Sequence, residues 1–72
     1  MKINDLKRYL QENQIPADSY SLKGGLPSEA FCIERTKRGW RVYYSEHGKK
    51  NEFGHFVCEE DAVKCFLTHF DI

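Results

Sequence analysis

Three cysteines and three histidines, Cys32, Cys58, Cys65, His47, His55 and His69, are the side chains of this 72-residue chain best equipped for metal or thiol chemistry. Cys65 and His69 stand four residues apart, the spacing that puts two ligands on one helix face, and the other four are candidate further donors to a tetrahedral zinc. No close cysteine pair accompanies them, and a buried cysteine beside an apolar stripe is sufficiently explained by packing. The sequence therefore predicts no metal site and no cofactor. Cys58 or Cys65 with His55 or His69 would make a thiolate and imidazole pair. No orienting third group, oxyanion-binding turn or phosphate-cradling glycine loop accompanies it, and so small a domain rarely encloses a substrate pocket. No catalytic residue is assigned, and an enzyme is not expected.

The elements that would position these side chains can be read from periodicity. Ile3, Leu6, Tyr9 and Leu10 recur at helical spacing, with Asn4 or Asp5 as an early cap, which predicts an amphipathic helix over about 3–13 ended by Pro16. Gly24-Gly25-Leu26-Pro27 predicts a connecting loop anchored by Tyr20 and Leu22. Residues 29–36 alternate as a strand, Lys37-Arg38-Gly39 forms a turn, and 40–45 returns as a second strand with Trp40, Val42 and Tyr44 on one face. A second turn over 47–51 leads to a third strand at 53–57. Ala62, Val63, Phe66, Leu67 and Phe70 then trace a broad apolar stripe on a helix over 59–70, with Glu59, Glu60 and Asp61 at its positive end. The expected fold is one α+β domain over 1–72: an N-terminal helix, a three-stranded antiparallel β-meander, and a C-terminal helix packed on the sheet. Trp40 and Phe66 are assigned to its core.

Composition narrows the function classes. The chain carries 11 basic and 11 acidic side chains, but residues 1–50 hold 10 basic and 6 acidic groups (+4) and residues 51–72 hold 1 basic and 5 acidic (−4). A dipolar surface of this kind can steer a charged partner, whereas zero net charge argues against general attraction to nucleic acid. No apolar run has the length of a signal peptide or a membrane span, so the cytoplasm is the expected compartment, with three reduced and largely buried thiols.

Two binding readings remain. Arg35, Lys37, Arg38, Arg41, Lys49 and Lys50 surround the hairpin and Trp40, Tyr43 and Tyr44 offer rings for stacking, the ingredients of a small RNA-binding module over 35–50. The alternative is a protein-binding surface in which Glu52, Glu59, Glu60 and Asp61 meet a basic partner and an exposed Tyr43 anchors the contact.

The second reading is favoured by a resemblance. Tyr20-Ser21-Leu22, Gly24-Gly25, Pro27, Glu29, Cys32-Ile33, Trp40, Val42-Tyr43-Tyr44, Glu46, Gly48, Phe56, Glu60-Asp61-Ala62 and Phe66 resemble the pattern of small bacterial immunity proteins of polymorphic or contact-dependent growth-inhibition toxin systems. The resemblance covers most of 18–67. It implies a cytoplasmic, non-enzymatic protein that binds the C-terminal domain of a cognate toxin, often a nuclease acting on transfer RNA or DNA. His47 stands where the pattern has arginine, and Val63 where it has cysteine. The resulting candidate partner-binding residues are Tyr43, Glu46, His47, Glu52, Glu59, Glu60 and Asp61.

Overall fold

The fold is that of a computed structural model, which describes residues 1–70. Helix α1 (Ile3–Glu12) opens the chain and helix α2 (Glu59–Phe70) ends the described part. Between them lie strands β1 (Tyr20–Ser21), β2 (Ala30–Thr36), β3 (Gly39–Glu46) and β4 (Lys49–Phe56), in spatial order β1-β2-β3-β4. The chain is α+β as expected, but the sheet has four strands and is mixed. The anchors Tyr20 and Ser21 pair parallel to Phe31 and Cys32, forming a strand too short for a periodic signal.

Local chemistry explains the boundaries. Asp5 reaches back to accept the Lys2 backbone N–H at 3.0 Å, satisfying one of the donors a helix start leaves free. Gln14 adopts φ +57° at the far end of α1, and Ile15 N–H returns to the Leu10 carbonyl before Pro16. β3 and β4 are joined by His47 and Gly48 alone, at φ +50° and +76°, the left-handed pair that matches the twist of a hairpin. The expected 47–51 turn is thus two residues long, and Lys49–Glu52 belong to β4. Gly39 is required by proximity: a Cβ there would lie 2.1 Å from the Phe56 carbonyl oxygen.

The two helices cover one face of the sheet. Leu6 and Leu10 from α1, Ile33 and Val42 from the sheet, and Ala62, Val63 and Phe66 from α2 are fully or almost fully buried in one cluster. Burial of these side chains, about 1.5–3 kcal/mol for each Leu, Ile, Val or Phe transferred from water, is the main stabilising term available to a chain of this size. Phe66 is in the core as expected. Trp40 is only half-buried at its margin, with the Arg35 guanidinium 5.8 Å above its ring. At the other end of this layer, Phe31 packs edge-on against Tyr44 and Phe70, while Phe53 of β4 stacks on His69 of α2 at 4.0 Å. No helix among the described residues is long and apolar enough to cross a membrane.

Candidate functional site

The second face of the sheet carries Ala30, Cys32, Glu34 and Thr36 from β2, Arg41, Tyr43 and Ser45 from β3, and Lys50, Glu52 and His55 from β4, by strand alternation. The connection between β1 and β2, residues 22–29, passes over the β2 and β3 side of this face. Tyr43 donates a hydrogen bond from its hydroxyl to the Gly25 carbonyl at 2.6 Å, and Ser21 donates to the Gly24 carbonyl at 2.8 Å. Gly24, at φ +81°, lies so close to Glu34 that a Cβ there would sit 2.6 Å from its carboxylate. Tyr43 is therefore fully buried, which corrects the expectation of an exposed aromatic anchor. Covering by the 22–29 connection is the physical reason.

Beside this covered strip the face is open and charged. Arg41 Nη1 is 3.1 Å and Lys50 Nζ 3.3 Å from Glu34 Oε1. Arg41 Nε is 2.7 Å from Glu52 Oε1, a close ionic contact without the alignment of a hydrogen bond. Thr36 Oγ1 and His55 Nε2 share a hydrogen bond at 2.7 Å, and Lys50 Nζ lies 4.9 Å from the centre of the Tyr43 ring. Two carboxylates and two cations thus alternate across three strands, neutral in sum. Individual pairs this exposed stabilise by only about 0–1 kcal/mol. Their consequence is a pattern of alternating sign across the open part of the face.

Burial sets the acid–base character beneath it. Burial, reinforced by nearby Cys32 and Glu34, pushes the Tyr43 phenol well above its ordinary range, and burial likewise raises the Cys32 thiol. Cys65 Sγ is 3.6 Å from His69 Nδ1, but burial raises that thiol too, the opposite of what a nucleophile needs. Cys58 is exposed and Cys65 half-buried, so only Cys32 matches the expected buried thiol. Among the described residues no three of His, Cys, Asp and Glu gather as a metal site.

The other predicted contact residues are separated by the length of β4. Glu46 and His47 are exposed at the two-residue turn, and Glu52 lies mid-strand on the open face. Glu60 and Asp61 are exposed in the first turn of α2, at the opposite end of β4, about 25 Å away for eight residues of strand. Glu59 is half-buried and accepts the Ile3 backbone N–H at 2.7 Å, so it clamps the start of α1 to the start of α2. The seven candidates do not form one patch.

The basic and aromatic set is divided as well. Trp40 and Tyr44 face the helices, Tyr43 is covered, Arg41 and Lys50 are paired with carboxylates, and Arg35, Lys37, Arg38 and Lys49 are exposed on strand, turn and edge. Arg35 and Lys50 sit over the Trp40 and Tyr43 rings, but none of the three rings is exposed as base stacking requires. Sequence reasoning passed over Glu34, the centre of the charge lattice; a cross-strand signal existed in the register that puts it opposite Arg41.

Fold and site together describe a small α+β protein with one helix-covered sheet face and one open, ion-paired face. No family model, curated protein or solved structure matches the chain.

Proposed function

We propose that this chain is an immunity protein: it binds a cognate toxin domain in the cytoplasm, a nuclease such as a tRNase, and neutralises it one-to-one without chemistry of its own. The observation that carries the reading is the open sheet face on which Glu34, Arg41, Glu52 and Lys50 alternate in sign. An array of paired charges of alternating sign suits recognition of a complementary protein surface, where it fixes register and rejects wrong partners. It offers neither an enclosed reaction space nor an excess of positive charge for nucleic acid. The sequence resemblance over 18–67 supplies the class of partner.

Co-expression with the product of the gene immediately upstream tests the proposal. Restored growth together with recovery of a one-to-one complex is expected. Undiminished toxicity, or a harmless neighbour, overturns it. In the complex, Glu52→Lys is expected to weaken binding at least tenfold by calorimetry, while Glu60→Lys, in the first turn of α2 and outside the open face, leaves affinity unchanged.

A further inference from the structure

β4 is the outermost strand along all of Lys49–Phe56, whereas the opposite edge is the two-residue β1. The His47-Gly48 loop makes Glu46 and Lys49 a hydrogen-bonded pair, so alternation makes Ser45 with Lys50 and Tyr43 with Glu52 the non-bonded pairs. The backbone N–H and C=O groups of Lys50 and Glu52 consequently point away from β3, with no strand beyond them among the described residues. All five residues 49–53 are exposed, and Phe53 keeps 37% of its surface in solvent despite stacking on His69. Beyond Phe53 the register shift between Val42 and Tyr43 breaks the alternation and limits any added strand to this segment.

We propose that β4 pairs antiparallel with β4 of a second copy of this chain, with Asn51 on the two-fold axis, so that two four-stranded sheets become one of eight. Charge selects the register. With Asn51 opposite itself, Lys50 of each copy faces Glu52 of the other, and these residues exchange the backbone bonds that now point outward. An axis on Lys50 or on Glu52 would set like charge against like, and an axis between two residues would oppose an outward-pointing residue to an inward-pointing one. In the chosen register the lattice runs on through the interface, from Glu34 to Lys50 to Glu52 and Arg41 of the second copy. Lys49 lies opposite Phe53 on the helix-covered side, where its alkyl stem shields the exposed ring. The isologous geometry closes at two copies, which spares this edge the open-ended pairing that an unprotected strand invites. The pairing is argued from the β4 edge and does not rest on the toxin reading, although Lys50 and Glu52 belong to both surfaces.

Sedimentation of the purified chain up to its solubility limit is the first test: mass is expected to double from 8.5 kDa as concentration rises. Lys50→Pro deletes an outward N–H without touching the β3 ladder, and is expected to stay monomeric with an unchanged circular-dichroism spectrum. Register is tested in a Cys58→Ser background. There Asn51→Cys is expected to form a disulfide-linked dimer on mild oxidation at least tenfold faster than Lys49→Cys, whose two copies would sit about four residues apart along the strands. A wild-type chain that stays monomeric at every concentration, or equal cross-linking of the two variants, overturns the proposal. Should Lys50→Pro fail to fold, the cysteine pair decides alone.

Discussion

The hydroxyl of Tyr43 and the carbonyl of Gly25, eighteen residues apart, meet at 2.6 Å, and this contact holds the 22–29 connection against the sheet. It links the mixed topology to burial: because β1 runs parallel to β2, the chain must return along the sheet before re-entering it, and the returning segment covers Tyr43 and Cys32.

Tyr43→Phe keeps the ring and removes the donor, leaving the Gly25 carbonyl without its partner. A loss of about 1–2 kcal/mol is expected. Urea denaturation checks it, with the midpoint lowered and the slope unchanged.

Alkaline pH acts on the same residue. The folded protein favours the neutral phenol, so the Tyr43 contribution is whole below the unfolded value of about 10 and is lost as pH climbs toward the higher folded value. Absorbance titration is expected to show a late tyrosinate step that is absent in Tyr43→Phe.

The three thiols should react in order of access. Cys58 is exposed and is expected to be labelled first by a thiol reagent near pH 8, Cys65 more slowly, and Cys32 only on unfolding, since burial raises the last two. Mass spectrometry of partially labelled protein reads the sequence of events directly.

Gly39→Ala is expected to cost more than about 3 kcal/mol or to prevent folding, because the new methyl would meet the Phe56 carbonyl at 2.1 Å in backbone already at φ +146°. Gly25→Ala, with open space around its Cβ position and φ +89°, should cost only about 1 kcal/mol, from backbone strain alone. Comparing the two variants by thermal denaturation separates collision from strain.

Both helices were legible in the sequence because their apolar residues repeat at 3–4 positions over three turns; the structure ends α1 at Glu12 and bounds α2 at Glu59–Phe70. β2 and β3 were legible for the same kind of reason. The first half of β4, Lys-Lys-Asn-Glu, was not, since an exposed edge strand has no buried side to impose alternation. Tyr43 was misplaced because polarity along β3 reports how many faces are covered only if the cover is known, and that cover comes from glycine-rich chain with no period of its own. The charge lattice depends on register, which the two-residue turn at His47-Gly48 sets and which a five-residue turn would have shifted.

The bond from Ile3 N–H to Glu59 has a consequence in time. β2, β3 and β4 follow one another through two-residue loops, so their pairing needs almost no loop closure, whereas the Ile3 clamp joins residues 56 apart. The meander is expected to assemble early and α1 to close last; α1, held by Leu6, Leu10 and this clamp, is expected to open before the sheet does. Amide protons of α1 are therefore expected to exchange with solvent ahead of those in β3, which makes the N-terminal helix the candidate for opening without the rest.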